Sequence, residues 1–382
     1  MNTKCKNSDS GFVVSSRRYA PFITEGLGII YGHPITEVMD EDGQKEAEWL
    51  INHIAYHTDR YHAPSMIWMT GDLDDPFELI TKTECRNRLK ARGKFNVSFR
   101  KRPQWSYDIF FMLGQGIFVN KMIFAPDRPI GAVFDEGGVA FNSFKGWGCN
   151  PVEPDNITNE YLSRLEEHLL SVACDGDQEK FDLINNWLGF MVQQPYTKVS
   201  KFLKFNGSLN SSKRPLARML NNIVGRHHCL NVQDINKVYG RFNGVILNQI
   251  LVNFDHCKIS TNKQVVEARM LVKGPEVTVE EPYVNWKNYK NLGHVIIQPD
   301  DSKECDLSSF DHYQVELNFG NDDNTLEFLD ENHSYYQQVC EGFMYKIMNR
   351  DLTGINTYFC LPEKHRFREK PVKLNMQHNR RW

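Results

Sequence analysis

The residues best placed to do chemistry lie between Lys201 and Gly225, KFLKFNGSLNSSKRPLARMLNNIVG. Phe202, Leu203 and Phe205 read as a short apolar strand and Asn206 to Ser212 as a polar loop. Lys213 then opens a helix with Leu216, Met219, Leu220 and Ile223 on one face. Strand, loop, lysine and helix is the plan of a phosphate-binding loop. Glycines let successive backbone N–H groups turn inward around an anion, and a lysine neutralises its charge. In GxxxxGK[ST] spacing Gly207 and Lys213 fall in register. Ser212 stands where the second glycine is expected, at a cost of about 1–2 kcal/mol if its φ is positive. Arg214 stands where a Ser or Thr would ligate Mg²⁺, leaving the Ser211 and Ser212 hydroxyls as partial substitutes.

Other residues suit contact with nucleic acid. From Lys82 to Arg102 the chain carries nine basic residues and one acid, ending in Arg100, Lys101 and Arg102, and a second basic run spans Lys364 to Arg381. Runs this dense can neutralise several phosphates, or serve only as solvated surface. Trp286, Lys287, Tyr289 and Lys290 combine lysines for phosphates with aromatic rings for base stacking, at what reads as a hairpin tip. His227-His228-Cys229 and His256-Cys257 lack the spacing of a tetrahedral metal site and read as ordinary side chains.

The elements that must position these residues follow from periodicity. A helix is expected from Gly43 with Ala47, Leu50, Ile51, Ile54 and Ala55 on one face, then a strand at Met66 to Met69 and a helix at Phe77 to Ile80. Helical spacing continues to Arg92, strand-like alternation follows at Phe95, Val97 and Phe99, and Ile109 to Ile123 reads as buried short strands. Val139 to Pro154 is irregular but packed. Thr158 is expected to cap a helix carrying Leu162, Leu165 and Leu169, and a second helix runs from about Glu179 to Val192. Beyond the loop come a strand from Gly244 to Asp255, a helix within Ser260 to Lys273, a hairpin arm at Val277 to Tyr283, strands at Gly293 to Gln298 and Tyr313 to Phe319, and a helix at Tyr335 to Met348. The expected fold class is α/β. Its divisions are 1–154 (mixed, largely helical, with the basic patch), 155–350 (the α/β unit) and 351–382 (a basic tail).

With 382 residues, 41% hydrophobic and 24% charged, the chain can bury more than one core. A net charge of −3 means that bulk electrostatics do not announce nucleic acid, so any such contact must be local. Nine cysteines, odd in number and without a CxxC pair, do not make a disulfide framework or zinc ribbon. No apolar run approaches the roughly 18–20 residues of a membrane helix, and MNTKCKNSDSGF lacks a signal-peptide core. An intracellular protein with no membrane partner is expected.

Layout adds a resemblance. FNSFKGWGCNPVEP, NNWLGFMVQQPYTK leading into the loop strand, and VGRHHCLNV followed by VYGRFNGVILNQILVNFD resemble the superfamily 3 helicase module of poxvirus- and phage-type primase-helicases. The resemblance is nearest to the helicase-like C-terminal part of phage primase-polymerases and covers roughly residues 105–350. It implies an AAA+ P-loop-type helicase core, ATP and Mg²⁺ as cofactors, single-stranded or template DNA as partner, and a homo-oligomeric ring, six-membered in the family. It also implies a primase-polymerase domain in the same or another chain, and host cytoplasm during phage or viral replication. Gly207, Ser211, Ser212 and Lys213 would hold phosphates, Asp255 the magnesium, and Gln298 the γ-phosphate or attacking water. The hairpin with Trp286, Lys287 and Lys290 would face DNA in the ring channel.

Four positions depart from the family. Ser212 and Arg214 replace the second glycine and the hydroxyl. His256 follows Asp255 where a Glu activates water and is the candidate to act as base in its place, and the segment around DHYQV has no arginine to reach a neighbouring subunit. Phosphoryl transfer depends on positioned charge, so these losses imply weak or lost hydrolysis. An active ATP-dependent helicase and a non-catalytic scaffold or protein-interaction module remain as alternatives.

Overall fold

The computed structural model describes residues 40–57, 65–72, 75–95, 102–112, 117–119, 121–128, 130–135, 138–208, 211–257, 259, 261–280, 286–299, 313–320, 324–357 and 360–362. Readings that fall elsewhere lie outside these residues, among them Arg100, Lys101, the second basic run and the DHYQV arginine position up to His312.

The first packed region begins with α1 (Glu41–His53), capped by the Asp40 side chain on the Gly43 N–H. Strands β1 (Ile54–His57), β2 (Ser65–Met69) and β3 (Phe77–Ile80) follow, then α2 (Lys82–Ala91), β4 (Lys94–Phe95), β5 (Gln104–Trp105), α3 (Ser106–Met112), β6 (Ile117–Val119), β7 (Lys121–Ile123), β8 (Gly131–Asp135) and β9 (Gly138–Asn142). They form a four-stranded sheet ordered β3-β2-β1-β6 and a three-stranded sheet ordered β7-β9-β8. Three expectations change here. Helix α1 stops at His53, and Ile54 and Ala55, expected on its face, belong to β1, where they pair with Trp68 and Ile67. Phe77 to Ile80 is a strand, because Met66 and Met69 of β2 pair with Ile80 and Phe77 and bury the apolar ends. Residues 106–112 are helical, with Ile109 fully buried against Ala47, Leu50 and Leu89 in one cluster.

Between the two packed regions runs the irregular string. Asn142 is fully buried and clamps the turn, accepting from the Ala125 and Phe144 N–H groups and donating to the Ala125 and Arg128 carbonyls. The buried His228 ring accepts the Lys145 N–H at Nε2 (2.9 Å), donates from Nδ1 to the Asn248 carbonyl (3.0 Å) and stacks on Phe144. Lys145 pairs with Asp75 at 2.5 Å, which ties the string to the first region.

The second region is built on α4 (Asn156–His168), α5 (Gln178–Gln193), β10 (Phe202–Asn206), α6 (Lys213–Val224), β11 (Cys229–Val232), α7 (Asn236–Tyr239), β12 (Leu251–Cys257), α8 (Asn262–Lys273), β13 (Glu276–Val279), β14 (Lys287–Lys290), β15 (His294–Pro299), β16 (Gln314–Asn318) and α9 (Tyr336–Met348). The cap of α4 is Asp155, which accepts from the Thr158 N–H; Thr158 itself is buried inside the first turn. Five strands make one sheet ordered β11-β12-β15-β10-β16, with every neighbouring pair parallel.

Period-two alternation sorts the two faces of this sheet. Leu203, Phe205, Leu251, Ile296, Val315 and Leu317 pack with α4, α5, α6 and α9. Phe202, Val252, Phe254, Val295 and Ile297 pack on the other side with α7 and α8. Each buried aliphatic or aromatic side chain contributes about 1.5–3 kcal/mol, so covering both faces makes this sheet the rigid part of the chain. The main core also takes in Phe144 and Cys149 before α4 and Cys360 after α9. Among the described residues no helix is long and apolar enough to cross a membrane.

Candidate functional site

All five strands run the same way, so the segments leaving their C-terminal ends meet at one edge, where parallel α/β sheets bind ligands. The loop after β10, the acid near the end of β12 and the amide near the end of β15 are gathered there by topology. Asp255 and Gln298 are direct partners in the β12–β15 register.

The loop departs from solvated coil in each feature. Lys213 is the first residue of α6, is 1% exposed, and its Nζ donates to the Gly207 carbonyl. Gly207 has φ +139°, and a Cβ there would lie 2.6 Å from the Phe319 carbonyl oxygen, so both backbone and space demand glycine. Ser211 donates from Oγ to the Ser208 carbonyl (2.8 Å), and Ser212 Oγ meets His168 Nε2 of α4 at 2.8 Å. Residues 209 and 210 lie outside the described ones. Ser212 has φ −63° and ψ −4°, ordinary helical values, so the expected strain of replacing the second glycine does not arise.

The strain lies at the opposite wall. His256 has φ +51° at an irregularity in the register between Asp255 and Cys257. Left-handed backbone at a non-glycine residue persists where its surroundings hold it. The turned ring places Nε2 3.2 Å from Arg214 Nη2 and 3.5 Å from Asp255 Oδ1. A guanidinium only donates, so Nε2 accepts and the ring proton lies on Nδ1. Arg214 and His256, which stand where the resemblance implies a magnesium hydroxyl and a general base, therefore touch each other.

That contact bears on whether the site fits a metal ion. A family-type Mg²⁺ site would need a hydroxyl after the lysine and a carboxylate pair at the end of β12. Here a fixed cation and an imidazole occupy those places, and both nearby serine hydroxyls are engaged with protein partners. The donor set does not fit Mg²⁺. A phosphate, by contrast, fits a buried lysine at a helix N-terminus beside a second cation.

Gln298 is 2% exposed and donates from Nε2 to Asn253 Oδ1 (2.9 Å), while its Oε1, like Asp255 Oδ1, is buried without a hydrogen-bond partner. Asn253 donates in turn to Asn231 Oδ1, which also accepts from Asn221 of α6. This row of amides crosses β15, β12 and β11 and ends on the helix that carries Lys213. Its sequence signal was Asn253, a polar residue within the apolar ILVNF of β12.

The basic-aromatic segment is the return arm of a two-stranded hairpin, β13 against β14, with Val277 opposite Tyr289 and Thr278 opposite Asn288. Lys287 and Lys290 therefore sit along an arm, not at the tip. The segment between the two arms, residues 281–285, lies outside the described residues. Trp286 is 67% exposed beside it, and Lys290 Nζ lies 5.1 Å from the Tyr196 ring centroid. The hairpin base is held by the buried Asn243, which donates to the Thr278 and Val238 carbonyls and accepts the Glu280 N–H. Next to it Phe242, at φ +61°, stands half exposed.

Much of the basic run from Lys82 is committed internally. Arg88 pairs with Glu78 and Glu84 and covers Trp68, while Arg92 forks onto Glu46 and lies 3.4 Å above Trp49. Arg86 and Lys94 lie over Tyr107 and Trp105. Arg102 is exposed.

No family model matches the sequence, and no curated protein does. Solved structures do. An apo structure of the NrS-1 C terminal region superposes with TM-score 0.52 at 16% identity, covering 79% of this chain and 68% of that one. A second apo structure of that region gives 0.53 at 15% identity over 82% and 70%. The likeness is one of fold: a mixed α/β chain with a five-stranded parallel sheet. JCV helicase shares a smaller part, 51% of this chain and 62% of that one, at TM-score 0.29 and 15% identity, too partial a likeness to argue from.

Proposed function

We propose that the chain is the helicase-like, ring-forming and DNA-binding module of a viral or phage replication protein, acting inside the infected cell, in which ATP hydrolysis is weak or lost. The observation that carries this reading is the Arg214–His256 contact at the mouth of the loop. Lys213, the Gly207 turn and the strand order retain the frame of a phosphate-binding site, while that contact replaces the groups that position metal and water.

DNA contact is assigned to the β13–β14 hairpin, where the exposed Trp286 offers a stacking face and Lys287 and Lys290 offer charge beside it. Arg100, Lys101 and Arg102 are proposed to extend that contact along the backbone. A six-membered ring would bring several hairpins to one strand, and a primase-polymerase domain in the same or another chain would supply synthesis.

The test joins mass and affinity. Mass photometry of the chain with and without single-stranded DNA should show a larger assembly on DNA. Binding should weaken steeply with added salt and fall when Lys287→Ala is combined with Lys290→Ala. A monomer at every DNA concentration, or affinity unchanged in the double variant, would remove the ring or the hairpin assignment respectively.

A further inference from the structure

We propose that Arg214 takes over the role of the divalent metal, so that this loop binds a linear polyphosphate in its metal-free form. The proposal rests on reading Gly207, Ser211, Ser212 and Lys213 as phosphate-holding residues and adds which ionic form of the ligand they accept. The shared chemistry is a chain of anhydride-linked phosphates, offered by a nucleoside triphosphate or by inorganic triphosphate.

The first support is charge placement. In a metal-dependent loop the divalent ion bridges the β- and γ-oxygens and neutralises charge that one lysine cannot. Here α6 opens with two cations in succession, Lys213 and Arg214. Arg214 can do what the metal does electrostatically, because a guanidinium stays charged and offers a planar fork matched to two phosphate oxygens.

The second is aim. A first-turn arginine is flexible and would sample solvent unless held. His256 holds it, at 3.2 Å, through a ring presented by a left-handed backbone on a different element. The apolar neighbours Phe254 and Cys257 pack in the core on the far face, while His256 meets Arg214 and lies 3.5 Å from Asp255. The imidazole accepts one Nη2 hydrogen and leaves the other guanidinium donors for an anion.

The third is an unmet need at the same edge. Gln298 is almost wholly buried, in register with Asp255, and its Oε1 has no hydrogen-bond partner. A buried acceptor calls for a donor. A water lodged between this amide and a bound phosphate chain supplies one without any metal.

The test is isothermal titration of the full chain with ATP in EDTA, ATP with Mg²⁺, and inorganic triphosphate in EDTA. The expected result is binding in EDTA at least as tight as with Mg²⁺. Arg214→Ser, which restores the family's hydroxyl, should weaken binding in EDTA by about tenfold or more. His256→Asn, which tolerates the left-handed backbone, should weaken it less, by releasing the arginine. Thermal unfolding of each variant guards against loss of fold. Equal binding of triphosphate assigns recognition to the phosphates alone; binding of ATP only assigns it to the nucleotide, and both support the proposal. Binding by the unaltered chain only when Mg²⁺ is present would overturn it while leaving the phosphate loop intact. No binding in any buffer, by a folded chain that still binds DNA, would overturn the loop reading and the proposal together.

Discussion

Acidification from pH 7 to about pH 4 is expected to loosen the joint between the two packed regions through His228. Burial lowers the pKa of this ring from 6.5 to about 4, with the Asn248 carbonyl bond acting the other way and the charges of His227 and Lys145 adding to the burial effect. The geometry explains the direction. Nε2 accepts the Lys145 N–H, so a proton there would break that bond and place a cation between Phe124 and Phe144. In the unfolded chain the ring takes its proton near pH 6.5, whereas the folded chain resists until about pH 4. Stability is therefore complete above pH 6.5, falls as the pH drops, and levels off below pH 4. At about 1.4 kcal/mol per pH unit the interval amounts to about 3 kcal/mol. Urea unfolding at a series of pH values, for the unaltered chain and for His228→Gln, isolates this ring from the other groups that titrate, including the buried His294. The variant should be less stable at pH 7, and the gap between the two chains should close by about 3 kcal/mol toward pH 4. Parallel curves would refute the reasoning.

Three further outcomes are expected. Gly207→Ala should destabilise the chain by about 1–3 kcal/mol in chemical unfolding, because its Cβ meets the Phe319 carbonyl and its φ of +139° suits no other residue. Trp286→Ala should leave the melting temperature unchanged and weaken single-strand binding by about 1–3 kcal/mol, as measured by fluorescence anisotropy, since the ring is exposed and stacking is its proposed work. Asn243→Ala should free the hairpin base, with faster amide hydrogen exchange at 276–280 and 287–290 and a stability loss of about 1–3 kcal/mol from unpaired backbone groups.

Local pattern carried the core of the site. The β10 strand, the glycine, the lysine at the start of α6, the acid on β12 and the amide on β15 were all legible, although the strand expected from Gly244 begins only at Leu251, residues 244–246 forming a 3₁₀ turn. Short segments were less so. Phe77 to Ile80 has apolar residues three apart, which suits one helical turn as well as a four-residue strand, and pairing with β2 decided between them. Thr158 and Asp155 are both good caps, and only the backbone shows which residue lies outside the helix. The loop's strand–loop–lysine–helix plan could be read from spacing, but Ser212 has ordinary helical values and the positive φ lies at His256, at the register irregularity of β12. Likewise the contact between Arg214 and His256 joins residues 42 apart in sequence, and no local rule brings them together.

Steady-state ATP hydrolysis with Mg²⁺ and single-stranded DNA, compared between the unaltered chain and Lys213→Ala, tests most directly the proposal that this chain keeps a phosphate-binding loop and has lost turnover. The account predicts the same background rate for both. Robust DNA-stimulated hydrolysis that disappears with Lys213→Ala would contradict it.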